Sequence, residues 1–329
     1  MSFLAVLLAL ICEQLKPLPH GNAAHAAVVA WSRWCGRNLD AGQQQHAWLA
    51  WGVSVGLPAL AVWVIDLLLR QVSFFAALGF DVLVLYLTLG FRQFSHYFTD
   101  IREALERGDE IEARRLLAAW QHLDASELPR SELLRHVIEH SLLAAHRHVF
   151  GVFFWFVLLS ALGFGPAGAV LYRMAELASR YWAFKSRTVG APVNERLMRR
   201  SQWLFGLMDH VPARLTAFGF AVVGNFEEAI TCWRRDAALW KHENEGIILA
   251  AAAGAVGVQL GGSAAPGITP DRSKTFEAGA PPEAAGAEGS TPGLPPVLGH
   301  LRSIVGLVWR SVVLWMLLLA LLTLANLIG

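Results

Sequence analysis

The chain has 329 residues, 55% of them hydrophobic and only 16% charged, with a mean hydropathy of +0.42. Soluble globular proteins carry about 25% charged residues. The deficit, together with 13 Trp and 18 Phe, argues for an integral membrane protein and excludes collagen-like, coiled-coil and disordered classes. A net charge of +1 supplies no global basic field, so nucleic acid is not an expected partner. Cys12, Cys35 and Cys232 are too far apart, and odd in number, for a disulfide framework or a metal quartet.

Residues 1–12 are apolar but lack a basic flank and a small-residue cleavage site, so they read as a retained short membrane helix. Residues 47–69 and 73–91 read as two spans joined by a tight turn, which completes an N-terminal membrane unit of residues 1–91. Each carries an acid. Asp66 lies near the turn and is expected to reach the interface. Asp81 lies deeper and should face protein or water, because a carboxylate in lipid is costly.

Residues 92–148 change character. From Thr99 to Leu117, apolar residues recur at helical spacing between charges, and Gly108-Asp109 divides them into two helices. Pro129 opens a further helix running to His148. This is the expected cytoplasmic helical segment at the membrane surface.

The apolar stretch 149–172 is interrupted by Gly163, Gly165, Pro166 and Gly168. It reads either as one kinked span or as a broken, re-entrant hairpin. Seven basic residues follow within 173–200 (Arg173, Arg180, Lys185, Arg187, Arg196, Arg199 and Arg200). Positive loops stay cytoplasmic. A hairpin keeps them on the same side as 92–148, and is the preferred reading.

Residues 203–225 are apolar but interrupted by Asp209, Pro212 and Arg214, and a helix N-terminus at Pro212 is expected to be able to bind phosphate. Residues 247–262 are rich in Ala and Gly, which lets helices approach closely. A membrane-embedded core thus spans 149–262. Residues 263–299 hold seven of the 14 prolines and read as a flexible loop. Residues 300–329 supply the last transmembrane helix. The fold class is all-α: a polytopic helical membrane protein with a cytoplasmic helical segment and a broken or re-entrant hairpin.

Two constellations invite chemistry. His136-x-x-Glu139-His140 fits an inverted zinc-protease pattern, with the histidines on one helix face and Glu139 placed to activate water. The pattern is short, the chain has 12 histidines, and no third ligand stands out, so an ordinary polar helix face is the expected meaning and no metal is assigned. His146-Arg147-His148 reads equally as an interfacial anchor or as the mouth of an anion site. The Gly-rich phosphate signature G-x-x-x-x-G-K-[ST] does not occur.

An ordered set of motifs carries a family resemblance. ALERGDEIEARRLL (104–117), Glu139, Phe154-Trp155, GPAGAVLYR (165–173), VPARLTA (211–217), Asn244-x-Gly246 and AAAGAVGVQLGG (251–262) resemble the CobD/CbiB family of cobalamin biosynthesis. The resemblance runs over roughly residues 92–328. It implies an inner-membrane, multi-pass adenosylcobinamide-phosphate synthase, which uses ATP and Mg²⁺ to join adenosylcobyric acid to aminopropanol or its phosphate through an amide. Its implied partners are the lipid bilayer and a corrinoid substrate.

Several polar positions differ from the family pattern. LAAHRH stands at 143–148, Glu176-Leu177-Ala178-Ser179 follows Arg173, Asp209 precedes the Pro-Ala-Arg element, and Leu249 replaces an acid. Arg147, Asp209 and VVGNFEEAITCW (222–233) instead resemble AmpE, a membrane protein implicated in β-lactamase induction, so a non-catalytic AmpE-like signalling role is the alternative. On either reading one polar cleft is expected. Glu139, Glu176 and Asp209 are its candidate catalytic acids, and Arg147, Arg173, Arg214 and Asn244 its substrate- or anion-binding set.

Overall fold

The computed structural model describes residues 2–16, 23–40, 44–121, 125–126, 128–186, 194–262 and 289–328. The helices among them are α1 (Ser2–Leu15), α2 (Ala23–Asn38), α3 (Gln44–Trp51), α4 (Leu57–Val72), α5 (Phe74–Thr88), α6 (Phe91–Glu106) and α7 (Glu110–Gln121). They continue with α8 (Arg130–Ala145), α9 (Gly151–Ala161), α10 (Ala167–Ser186), α11 (Glu195–Val223), α12 (Phe226–Asp236), α13 (Glu243–Val256) and α14 (Leu298–Ile328). Two isolated β-bridges, Val258 to Leu294 and Gly261 to Ser290, are the extended pairings among the described residues. The protein is an all-α polytopic membrane protein. Three continuous helices are long and apolar enough to cross a bilayer: Gln45–Val72, Arg130–Ala161 and Leu298–Ala325. The flexible loop expected at 263–299 lies mostly outside the described residues.

Local chemistry explains the breaks. Ser73 ends α4 in an extended conformation and caps α5, its hydroxyl accepting from the Phe75 N–H at 3.2 Å. Gly163 and Gly165 take positive φ values of 87° and 56° between α9 and α10, a region costly for any residue with a Cβ. The resulting turn makes 149–172 a hairpin. A Cβ on Gly168 would strike the Trp155 carbonyl and one on Gly151 would strike the Tyr172 ring, so the two helices run antiparallel in close contact. The expected split at Gly108-Asp109 and the start after Pro129 are both present.

Three expectations need correction. First, the helix opened by Pro129 does not stop at His148. A π-helical segment, His146–Phe150, carries it on into α9, so Arg130–Ala161 is one 32-residue rod of about 48 Å. The segment 92–148 therefore has no structural boundary at its end. Second, Asp66 does not reach an interface. It is 0% exposed beneath the Gly165 turn, bonded to Arg70 at 2.7 Å. Asp81, also buried, lies 3.9 Å from the same guanidinium. Third, Pro212 does not begin a helix. It sits inside the continuous 29-residue α11. Proline lacks the N–H that would bond to the Met208 carbonyl, and the Trp155 indole N–H donates to that carbonyl at 3.2 Å instead. Helix continuity costs little once the orphaned acceptor is satisfied, and no anion-binding terminus arises there. The stretch 247–262 is part helix and part extended chain. Gly257 ends α13 with φ 77°, and residues 258–262 extend to pair with 289–294.

The small residues of α13 do allow close packing. A Cβ on Gly254 would fall against the Glu228 backbone, and one on Gly246 against Ala237 and Trp240. Ala250, Ala251, Ala252 and Ala253 are fully buried between α11, α12 and the rest of the core. α13 is thus seated deep in the molecule, and its first turn meets Arg147 of the π-helical segment and Arg214 of α11.

Candidate functional site

The π-helical segment His146–Phe150 occupies the middle of a membrane-capable rod. Such segments add a residue to a helical turn and re-aim side chains inward. Here His146 and His148 are both buried, at 1% and 6% exposure. An interfacial anchor would snorkel to water, so the anchoring alternative for these two histidines does not hold. Trp155, two turns further on, continues the same inward face toward α11.

Asp209 sits opposite, on α11, and is 4% exposed. Its Oδ1 accepts from Tyr172 Oη at 2.8 Å and lies 2.8 Å from His146 Nε2. His146 Nδ1 lies 2.9 Å from the Thr216 hydroxyl. The order acid, imidazole, hydroxyl is that of a nucleophilic triad. Thr216, however, is 1% exposed, so this chain of bonds clamps α10 and α11 to the π segment and presents no nucleophile.

Arg147 points toward the next layer. It pairs with Glu245 in the first turn of α13 and lies within electrostatic range of Glu176 and Asp209. Glu176, wholly buried on α10, is held between two guanidiniums. Arg173 donates to it at 3.0 Å, and Arg180 donates at 3.1 Å. These are i, i+3 and i, i+4 neighbours, the spacings at which helical side chains meet. The neighbouring residues of α13 extend the same belt. Glu243 accepts from Arg214 at 2.6 Å, and Asn244 accepts from the same guanidinium at 3.4 Å while donating to the Gly206 carbonyl at 2.9 Å. Acids in the first turn of α13 also suit its helix dipole.

Six of the seven expected site residues fall in this set of neighbouring groups: Asp209 with His146 and Tyr172, Glu176 with Arg173 and Arg180, Arg147 with Glu245, and Arg214 with Glu243 and Asn244. Glu139 does not. It lies two turns before His146 on the same rod, about 10 Å away along the axis. Its carboxylate accepts the Gly261 N–H at 2.7 Å, while Arg135 donates to the Gly261 carbonyl. The two side chains grip the turn that follows α13. In the His136-x-x-Glu139-His140 pattern, His140 packs edge-on against Trp120 at 4.3 Å while Glu139 bonds to Gly261, so those two side chains serve different contacts.

Sequence reasoning missed Tyr172, Arg180, Glu243 and Glu245, and singled out His146 only as part of the 146–148 run. Arg180 was legible in principle, four residues after Glu176, but was grouped with the topology signal of 173–200. The two α13 acids flank Asn244 and carried no pattern of their own.

The arrangement has a clear electrostatic character. Every acid of the belt touches a cation or an imidazole, so no carboxylate pair is open toward a divalent metal. Among the described residues no group of three or more His, Cys, Asp or Glu assembles that could hold a metal ion. Arg173 and Arg180 both reach Glu176, and guanidinium forks of this kind can bind an anionic group bidentately.

Comparison with known proteins agrees with the motif order. The chain is 32% identical over 324 residues to the cobalamin biosynthesis protein CobD of Stutzerimonas stutzeri, covering 96% of each. A protein of the same name from Chromobacterium violaceum is 35% identical over 187 residues, 56% of this chain and 55% of the relative. One from Leptospira interrogans is 25% identical over 272 residues, 79% of this chain and 81% of the relative. No solved structure matches the chain. The family model described as CobD/Cbib protein matches residues 2–286, which contain the whole rod, the antiparallel hairpin and the polar belt, and the chain belongs to the CobD/CbiB family.

Proposed function

We propose that this chain works in cobalamin biosynthesis at the bacterial inner membrane, as an adenosylcobinamide-phosphate synthase or a diverged version of one. The reaction would join a carboxyl group of adenosylcobyric acid to the amine of aminopropanol or its phosphate. The observation that carries the reading is the arginine belt of Arg147, Arg173 and Arg214, set among membrane-capable helices of a CobD/CbiB protein. The carboxyl group, the phosphate ester and the nucleotide all carry oxyanions, and these arginines would bind and orient them. Asn244 would fix Arg214 in that task.

The three proposed catalytic acids divide by environment. Glu176 and Asp209 are engaged by cations or imidazole and would hold the basic groups in place. Glu139 has no Lys, Arg or His side chain at ion-pair distance among the described residues, and would be the acid that accepts a proton from the attacking amine. The belt fits the phosphate part of ATP. Its carboxylates do not fit a dedicated Mg²⁺ cage, which needs acids free to coordinate, so no step is assigned to the metal.

Complementation tests the reading. A strain lacking the synthase, grown with cobyric acid as its corrinoid source, should grow when this chain is expressed. Absence of growth, with the protein present and folded in the membrane, would overturn it. The second reading, an AmpE-like protein without catalysis, is favoured by one observation: Glu176 and Asp209 are closed off by their partners.

A further inference from the structure

α2, α3, the second half of α10 and the first half of α11 share a small core of their own, built around Ala47, Ala50, Trp182 and Leu197. Its outer rim is aromatic. Trp48 of α3 and Trp203 of α11 meet edge to face, their ring centroids 6.3 Å apart. They remain 42% and 54% exposed, and neither indole N–H has an acceptor among the described residues. Arg200, one turn before Trp203, holds its guanidinium over the Trp48 ring at 5.4 Å from the centroid. No acid lies at ion-pair distance from Arg200 among the described residues. Between residues 194 and 208, three arginines (Arg196, Arg199 and Arg200) stand against one acid, Glu195, which pairs with Arg199 on the exposed surface. The depth of this rim follows from the span that begins beside it. Gln45–Val72 is one membrane-capable helix of 28 residues, about 42 Å long. Hydrocarbon covers about 30 Å, which leaves roughly 6 Å at either end of a centred helix. Trp48 is about 4.5 Å along the axis from the first end, and so stands in the headgroup layer. Tryptophan favours that layer, with its ring against the acyl chains and its N–H toward polar oxygens.

We infer that Trp48, Trp203 and Arg200 form a site for the headgroup of an anionic phospholipid, in the leaflet that bounds the start of Gln45–Val72. The contact between Arg200 and Trp48 is made through charge and ring, so the N–H groups of the guanidinium are left to bind the phosphate. The two indoles would flank the glycerol backbone and donate to its ester oxygens. The basic start of α11 favours a headgroup with a net negative charge over a zwitterionic one. None of the belt residues takes part, so the site is independent of the synthase reading.

The test uses the full chain, purified and exchanged into micelles of detergent with phosphatidylcholine alone or with added phosphatidylglycerol. Retained lipid is counted by native mass spectrometry, and thermal unfolding is followed in both mixtures. The wild-type protein should retain phosphatidylglycerol in preference to phosphatidylcholine and melt higher in its presence. Arg200→Gln should weaken that retention about tenfold or more, as for the loss of a charge-assisted bond, while melting like the wild type in phosphatidylcholine alone. Trp203→Leu should weaken it severalfold. Arg115→Gln, which removes an exposed arginine on α7, should leave it unchanged. Soluble glycerol phosphate should not displace the lipid, because it lacks the esters and chains that the indoles hold. The site is overturned if phosphatidylglycerol is not preferred, if glycerol phosphate displaces it, if Arg200→Gln or Trp203→Leu retains it as the wild type does, or if Arg115→Gln loses it equally. An equal drop in melting temperature in both lipid mixtures on Arg200→Gln would make the arginine a structural residue and would overturn the site as well.

Discussion

The bond between Tyr172 and Asp209 gives a quantitative test of the belt. Tyr172→Phe removes one hydroxyl that donates at 2.8 Å to a buried carboxylate. Both residues are almost wholly buried, so no water replaces the lost donor. A hydrogen bond to a charged group contributes about 1.5–3 kcal/mol, and Tyr172→Phe should destabilise the protein by that amount. Asp209→Asn removes the buried negative charge bonded to Tyr172 and His146, and losing a charge-assisted bond of this kind costs about 1.5–3 kcal/mol. The two losses overlap, because the phenol loses much of its partner once the charge has gone. In the double variant the total should fall short of the sum by at least about 1 kcal/mol. Unfolding in mixed micelles by a denaturing detergent, at one lipid composition, supplies the four free energies. Additivity within about 0.5 kcal/mol would show that the two groups do not interact, and the belt geometry would be wrong. The same Asp209→Asn protein separates the functional readings. In a synthase it loses turnover even where it stays folded, whereas in a structural network it loses stability and has no activity to lose.

Trp155→Phe leaves the Met208 carbonyl unsatisfied above Pro212 and should cost about 1–3 kcal/mol beyond the lost packing; the cost should largely vanish in a Pro212→Ala background, where the helix takes the carbonyl back. Gly254→Ala should destabilise by about 1–3 kcal/mol, because its Cβ meets the Glu228 and Ala229 backbone, while Gly206→Ala, with nothing within 4 Å of the added Cβ, should stabilise α11 by up to about 1 kcal/mol; equal melting shifts would refute the close packing of α12 on α13. The Arg302 guanidinium beside Glu106 holds that carboxyl below the usual carboxylate range. The contact therefore adds stability at neutral pH and loses it as pH falls through the folded value, and Glu106→Gln should flatten that acid limb of the melting-temperature profile. Cysteines placed at Ser126 and Ser186 should react from the same face of the membrane, since the antiparallel hairpin returns the chain to its starting side; labelling from opposite faces would exclude it.

The all-α membrane character was written in the composition, because a bilayer admits few backbone solutions and the apolar runs are long. The breaks at Gly108 and Gly163–Pro166 were legible for a similar reason, whereas the turn read at residues 70–72 falls at Ser73. Each depends on a local property of one or two residues, a capping hydroxyl, a positive φ or a missing N–H. Pro212 shows where that logic stops. By itself proline breaks a helix, yet a tryptophan 57 positions earlier takes up the freed carbonyl and α11 runs on. The polar belt shows the same division. Arg147, Arg173, Asp209, Arg214 and Asn244 could be picked out as charged or polar groups too costly to leave in lipid. Which acid meets which base could not, because His146, Arg180, Glu243 and Glu245 reach their partners through helix packing, and packing depends on the whole core. Glu139 carries the lesson in reverse. Its family motif placed it with the others in sequence terms, but two turns of a straight rod hold it about 10 Å from His146, against Gly261. Local residue chemistry decided the helices and their ends, and only the tertiary structure decided which buried charges meet one another.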